Sequence, residues 1–129
     1  MAYCTLAEVK EYLGFVSSDT TQDSLLNRLL EDCSKEIDLF TKRTFYARTE
    51  TRKFDADRDV RGNLLFLDDD LLSVTSITNG NGDTIDSSQY VLEPKNVFPK
   101  YGIRIKSSSS KIWQYDEDPE QSITVTGTW

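Results

Sequence analysis

The chain has 129 residues, a length that fits one domain with one modest core. With 37% hydrophobic and 29% charged residues, its composition excludes a disordered chain, and no apolar run approaches the roughly 20 residues that span a bilayer. The net charge of −7 argues against a sequence-reading DNA-binding protein, because such proteins neutralise phosphates with a basic face. The N-terminus lacks the pattern of a signal peptide, which predicts a cytosolic protein with no membrane contact.

The first predicted element is a short helix. Thr5-Leu6-Ala7-Glu8 has the form of a capping box. In this motif the Thr hydroxyl accepts the backbone N–H of the Glu, and the Glu carboxylate accepts the backbone N–H of the Thr. Apolar residues then recur at three- and four-residue spacing, namely Leu6, Val9, Tyr12 and Leu13. Gly14 stands where a left-handed residue would end the helix.

A second, longer helix is predicted to begin near Thr21. Its apolar residues lie on one face, which we expect to be buried: Leu25, Leu26, Leu29, Leu30, Cys33, Ile37 and Phe40. We therefore expect Cys33 to be a buried, reduced thiol that behaves as a small hydrophobic residue. Lys42 and Arg43 follow at the C-terminal end, where they either complement the helix dipole or contact an acidic partner surface.

From residue 47 onward the sequence predicts β-strands joined by short turns. The predicted strands are Arg52–Phe54, Leu64–Leu67, Leu72–Thr78, Tyr90–Leu92, Gly102–Lys106, Ile112–Trp113 and Ser122–Thr126. The run Asp68-Asp69-Asp70 is interpreted as a polar turn, and Asn79-Gly80-Asn81-Gly82 as a hairpin turn leading to Thr84-Ile85 or to Tyr90–Leu92. No helical crossover separates these strands, which favours an antiparallel arrangement.

The predicted fold class is therefore α+β. One domain, 1–129, is expected to hold an N-terminal two-helix hairpin over residues 1–46. A mainly antiparallel β-sheet or small sandwich is expected over residues 47–129.

Metal and cofactor sites are not predicted. Asp55, Asp57 and Asp59 suggest a calcium loop, but an EF-hand counted from Asp55 needs Gly at its sixth and Glu at its twelfth position. Those positions hold Val60 and Phe66, so the motif fails. Zinc is disfavoured because the chain has no histidine and only two cysteines.

The sequence predicts a protein that is not an enzyme. Nucleophilic catalysis by Ser or Cys usually needs a histidine base, and the chain has no histidine. Gly80 and Gly82 lie in a predicted hairpin turn that no helix follows, so they do not form a phosphate-binding loop. The acidic residues are numerous, yet their spacing singles out no catalytic pair.

Candidate interaction residues lie in both parts of the chain. They are Lys42, Arg43, Arg48, Ser107, Ser108, Ser109, Ser110, Trp113 and Trp129. Trp113, Tyr115 and Trp129 fit a sheet core as well as an interface, where aromatic residues are enriched. An alternative function is a non-enzymatic β-rich binding module for peptide or carbohydrate, with Trp113 and Tyr115 as its platform.

The order of these motifs resembles a known family. Thr5–Gly14, a polar spacer, Leu25–Ile37 and Thr41-Lys42-Arg43-Thr44-Phe45 together resemble the head–tail connector (adaptor, or head-completion) family of tailed bacteriophages and prophages. The segments Leu71–Ile77, Tyr90–Leu92 and Ile123–Trp129 resemble the longer, β-inserted branch of that family.

The resemblance implies a structural virion protein of the phage neck, present in the bacterial host cytoplasm before assembly. It implies an oligomeric ring, dodecameric in the virion, through which DNA passes without sequence-specific binding. The partners would be the portal protein and the next neck or tail protein, and the helices would pack between subunits. Another neck or tail protein, such as a tail terminator, is a near alternative.

This sequence departs from the family at its end. Related chains continue past Gly127-Thr128-Trp129 into a further helix that completes the helical bundle, whereas this sequence ends at Trp129. We therefore expect either the sheet or a neighbouring subunit to cover the apolar surface of the helical pair. The alternative is that these 129 residues are part of a longer product that contains the further helix.

Overall fold

The structure, a computed structural model, describes all residues from 1 to 129. The chain divides into two compact units, Met1–Tyr46 and Ala47–Trp129. Two helices form the first unit and seven antiparallel strands form the second, so the protein has the predicted α+β fold. Neither helix is both long and apolar enough to cross a membrane.

The first helix, α1, spans Leu6–Leu13 and confirms both predicted ends. The Glu8 backbone N–H donates to the Thr5 hydroxyl at 3.2 Å, and the Thr5 N–H donates to the Glu8 carboxylate at 2.7 Å. Gly14 is left-handed, with φ of 78°, and its N–H donates to the Glu11 carbonyl. The capping box and the glycine thus fix α1 at two turns, shorter than isolated helices usually need.

The second helix, α2, spans Asp23–Thr41 and begins two residues after its predicted start. Gln22 precedes it without a side-chain capping bond, and Lys42 ends it in the left-handed region with φ of 58°. The residues of α2 that turn inward are spaced by four, because one turn holds about 3.6 residues. They are Leu26, Leu30, Ser34 and Asp38, of which Leu26 and Ser34 are fully buried.

Polar bonds link the start of the chain to α2. The Tyr3 backbone N–H donates to the Ser34 hydroxyl at 3.0 Å, and the Tyr3 hydroxyl donates to the Asp38 carboxylate. The Phe45 N–H donates to the same Tyr3 hydroxyl at 2.9 Å. Hydrogen bonds, rather than a thick apolar core, therefore hold the two ends of this unit against α2.

The second unit consists of two antiparallel sheets. Its strands are β1 (Thr49–Phe54), β2 (Val60–Arg61), β3 (Leu64–Leu71), β4 (Ser73–Thr78), β5 (Tyr90–Glu93), β6 (Lys100–Ile105) and β7 (Ile123–Thr128). One sheet has the order β1-β7-β4 and the other β2-β3-β6-β5.

One apolar core joins the two sheets. It contains Phe54, Leu65, Leu71, Ile77, Ile85, Ile103, Ile105, Trp113, Ile123, Val125 and Trp129. Along β7 the buried residues alternate with half-buried ones, as expected of a strand with one face on the core. Gly127 lies so close to β4 that a Cβ there would stand 2.2 Å from the Ser73 carbonyl oxygen, so only glycine fits.

The Asn79–Gly82 turn is confirmed. The Gly82 N–H donates to the Asn79 carbonyl at 2.9 Å, and Gly82 has a φ of 85°. The chain then returns along β4, where Thr84 pairs with Thr78, so the first of the two predicted partners is the correct one. Tyr90–Glu93 pairs instead with β6.

Two predictions in this unit are wrong. Asp68-Asp69-Asp70 is part of strand β3 and not a turn, and a register irregularity between Phe66 and Leu71 accommodates it. Such a bulge can re-aim side chains, and the carboxylates of Asp68 and Asp69 here both bind Arg52 of β1. Ile112–Trp113 forms no strand.

Candidate assembly surface

The predicted apolar face of α2 is largely exposed. Leu25, Leu29 and Ile37 are 53%, 49% and 43% exposed, and Phe40 is 91% exposed. Cys33 lies between them and is exposed as well, so the predicted burial of its thiol is wrong. Leu25, Leu29, Cys33, Ile37 and Phe40 form a continuous line that we call the α2 stripe. It extends over about 22 Å at 1.5 Å per residue.

The wrong prediction of which face of α2 is buried has a simple geometric cause. The buried line, which includes Leu26 and Ser34, is displaced from the α2 stripe by one residue, or about 100° around the helix. Two polar residues, Ser34 and Asp38, occupy the buried line because Tyr3 binds both of them. The apolar pattern of α2 therefore identified the right residues but not the side that this unit covers.

A groove lies beside α1 in the same unit. It has a volume of about 570 Å³, and its apolar lining comes from Leu6, Ala7 and Phe15, with the exposed Glu11 also on its wall. We call it the α1 groove. Its size falls within the usual range of about 300–1,000 Å³ for ligand pockets.

Lys10 fixes the shape of the α1 groove. Its side chain is 7% exposed, and its ammonium donates to the Ser17 carbonyl at 3.3 Å, to the Asp19 carbonyl and to the Asp23 carboxylate at 2.9 Å. Lysine is almost never buried without such partners. These bonds tie the segment after α1 to the start of α2, so the groove exists without a ligand.

Lys42 and Arg43 lie at the exposed end of α2. Both residues are on the surface, two and three positions after Phe40. Two cationic residues therefore follow the most exposed residue of the α2 stripe within one helical turn of sequence. Of the predicted interaction residues, these two belong to the same unit as the stripe.

Arg48 is bound within the β unit. Its guanidinium pairs with Glu50 at 2.6 Å and with Asp69 at 2.8 Å, while its Nη1 is buried without a hydrogen-bond partner. Burial alone would raise the pKa of Asp69. The Asp70 backbone N–H and the guanidinia of Arg48 and Arg52 outweigh burial and lower that pKa. Arg48 is therefore a correction to the predicted contact residues, because its charge is already compensated inside the protein.

The serine loop carries its own hydrogen bonds. The Ser109 N–H donates to the Lys106 carbonyl and the Lys111 N–H donates to the Ser109 hydroxyl, both at 3.0 Å. Ser107, Ser108 and Ser110 are exposed. The loop therefore forms a hydrogen-bonded turn at the surface of the β unit.

Trp113 and Trp129 are a second correction, because both belong to the core and are 8% and 4% exposed. Their indole N–H groups donate to backbone carbonyls, that of Asn63 at 2.9 Å and that of Glu50 at 3.1 Å. Trp113 cannot serve as a surface platform in this position, which removes the main support for a peptide- or carbohydrate-binding module. Of the three aromatic residues considered for an interface, only Tyr115 is exposed, at 45%.

The acidic loop after β1 is closed by hydrogen bonds. The Asp59 carboxylate accepts the Asp55 N–H at 2.7 Å, and the Asp55 carboxylate accepts the Gln121 N–H at 2.8 Å. No group of three or more His, Cys, Asp or Glu side chains is arranged to hold a metal ion. Cys4 and Cys33 are both free and exposed.

Sequence reasoning missed the α1 groove. A usable signal was present, because Lys10 interrupts the helical face that carries Leu6 and Leu13, and Phe15-Val16 places two apolar residues just after the helix-ending glycine.

Neither a protein-family model nor a curated protein nor a solved structure matches this chain.

Proposed function

We propose that this chain is a structural subunit of a bacteriophage neck, a head–tail connector that forms a ring between portal and tail. The proposal joins the order of motifs in the first 45 residues to one structural observation, the exposed α2 stripe. DNA passes through the ring without sequence-specific binding, and the protein acts without catalysis.

The α2 stripe carries the proposal. Soluble proteins rarely leave a continuous apolar surface uncovered, and such surfaces mark sites of interaction. Burial of apolar area contributes about 25 cal/mol per Å², so covering this stripe favours association. A contact between two different surfaces of identical subunits generates a closed ring when the rotation between neighbours closes.

The β unit supports the proposal in a different way. Its core is complete within one chain, because residues of both sheets pack into a single buried cluster. It can therefore fold independently of contacts between subunits and offer its loops to the portal or to the next component. The net charge of −7 is compatible with DNA moving past without adhesion.

The test is assembly on purified portal rings, followed by cryo-electron microscopy. We expect the wild-type chain to add a ring of density to the portal. Leu29→Glu places a charge in the α2 stripe and should prevent that ring. Ser24→Glu introduces the same residue at an exposed position about 140° around α2 from Leu29 and should assemble normally.

Two results would contradict the proposal. One is the absence of any portal-bound ring with the wild-type chain at high concentration. The other is a Leu29→Glu variant that assembles as well as Ser24→Glu, because the stripe would then have no role.

A further inference from the structure

We propose that Phe40 of one copy inserts into the α1 groove of the next copy, so that the chains join head to tail. The inference rests on the proposed function, since it names the contact that would connect neighbours in the ring. It is nevertheless argued from the helical unit alone and can be tested without a portal.

The projecting partner is the C-terminal end of α2. Phe40 is 91% exposed and its neighbour Leu39 is 66% exposed. An aromatic side chain offers about 150–250 Å² for burial, more than any other exposed group of α2. Such an exposed aromatic residue is the kind that anchors an interface when a pocket receives it.

The receiving partner is the α1 groove. Leu6, Ala7 and Phe15 give it an apolar wall, and its volume of about 570 Å³ admits a benzyl group with the adjoining Leu39. Because Lys10 already holds the groove open through its three hydrogen bonds, little ordering is needed when a neighbour binds.

The charges of the two surfaces are complementary. Lys10 and Asp23 neutralise each other across 2.9 Å, so the charge that the groove presents outward is that of the exposed Glu11. Lys42 follows Phe40 by two positions at the exposed end of α2 and brings positive charge to the rim on insertion. Opposite charges around an apolar anchor favour this pairing and fix its orientation.

The contact cannot form within one chain. Phe40 lies 17 residues after Asp23 on the same helix, which puts the two about 26 Å apart at 1.5 Å per residue. Asp23 lines the groove, so Phe40 reaches only the groove of another copy. The contact is heterologous, and it propagates into a closed ring or an open filament.

The anchor alone makes a weak contact. One phenylalanine buries far less than the roughly 1,000 Å² that a stable interface requires. We therefore expect free chains to associate weakly in solution. The remainder of the α2 stripe strengthens the contact once several copies are held on one template.

Crosslinking of the full chain tests the inference. In a Cys4→Ser, Cys33→Ser background, Ala7→Cys places a thiol in the groove and Leu39→Cys places one beside the anchor. A short bismaleimide should then produce a ladder of dimers, trimers and larger species. The pair Tyr12→Cys and Leu39→Cys is the matched control, because Tyr12 is exposed but does not line the groove.

A charge exchange gives a second readout. Glu11→Lys and Lys42→Glu should each weaken association about two- to fivefold, the usual range for an exposed ion pair. The double exchange should restore it, whereas Lys35→Glu should leave it unchanged. Phe40→Ala should weaken association about tenfold or more, as expected of an interface anchor.

The inference is overturned if the groove pair yields no more ladder than the Tyr12 control, or if the double exchange fails to rescue. A groove occupied by a different protein would give that result. If the crosslinked ladder forms but the chain does not bind the portal, this contact is supported and the proposed function is contradicted. If the chain binds the portal but the portal-bound ring gives no ladder, the proposed function is supported and this contact is contradicted.

Discussion

The two units of this protein bury their apolar residues very differently. The β unit packs eleven buried residues into one cluster, eight of them from strands of the two sheets and several with no exposed surface. The helical unit has a single buried apolar residue, Leu26, and leaves aromatic residues such as Tyr12 and Phe40 91% exposed. One unit buries its apolar residues within a single chain, whereas the other leaves most of its apolar residues exposed.

This difference predicts that the two units respond differently to mutation. A complete core makes the β unit sensitive to truncation of its buried residues, because cavities in a packed interior are costly. The helical unit depends on capping bonds, a buried lysine and tyrosine hydrogen bonds, each of which contributes modestly. Mutations in the two units should therefore separate effects on folding from effects on association.

The largest effect is expected from the β core. Ile103→Ala should lower the free energy of unfolding of the β unit by about 2–5 kcal/mol, because Ile103 has no exposed surface. Tryptophan fluorescence measures this unit alone, since both tryptophans lie in it. The matched truncation Leu29→Ala, on the half-exposed α2 stripe, should change that signal by less than about 0.5 kcal/mol. Equal losses in both variants would mean that the two units are not energetically distinct.

The second effect concerns the ion network between β1 and β3. Asp69→Asn should destabilise the β unit by about 1–3 kcal/mol, because it removes a half-buried carboxylate that pairs with Arg48 and Arg52. Asp68→Asn is the control. Asp68 is 61% exposed and pairs only with Arg52, so the expected loss is about 0–1 kcal/mol.

The same network makes stability depend on pH. The pKa of Asp69 is lowered in the folded protein, so its contribution is present above the unfolded pKa of about 3.9 and is lost as the pH falls through the folded value. Urea unfolding between pH 6 and pH 2 should show this loss in the wild type. The slope should be smaller in Asp69→Asn, and an unchanged slope would contradict the assignment.

The third effect concerns the α1 groove. Lys10→Met should loosen the segment from Phe15 to Asp23 by about 1 kcal/mol, because three acceptors lose their buried donor. Hydrogen exchange should accelerate in that segment and remain unchanged in the β unit. Lys35→Met, at an exposed position of α2, should leave exchange unaltered.

The smallest effect on folding is expected at the tip of α2. Phe40→Ser should lower the free energy of unfolding by less than about 0.5 kcal/mol, because the Phe40 side chain is 91% exposed. Unfolding followed by far-ultraviolet circular dichroism measures this change. The substitution should nevertheless reduce self-association measured by sedimentation velocity. A large loss of helical stability would show that Phe40 packs within its own chain.

Local chemistry was the predictable part of this fold. The Thr5 capping box, the Gly14 helix end and the Asn79–Gly82 turn each depend on a few neighbouring residues, and all three were confirmed. The Asp68–Asp70 run was misassigned because its carboxylates pair with arginines distant in the sequence, Arg48 just before β1 and Arg52 within it. The residues next to the Asp68–Asp70 run do not indicate that these arginines will pair with it.

The face of α2 could not be predicted for a similar reason. Periodicity locates an apolar side of a helix but does not state which protein covers it. Here Tyr3 draws Ser34 and Asp38 inward, and the apolar side is left about 100° away. The α1 groove likewise depends on Lys10 reaching residues 7–13 positions further along the chain.

The central claim is that the α2 stripe becomes buried on assembly, and Cys33 provides a native probe of it. In a Cys4→Ser background, the rate at which a maleimide labels Cys33 should be fast in the free chain and fall at least tenfold on portal-bound rings. Cys4, measured in a Cys33→Ser background, serves as the exposed reference off the stripe. An equal labelling rate of Cys33 in the free and the assembled protein would contradict the account.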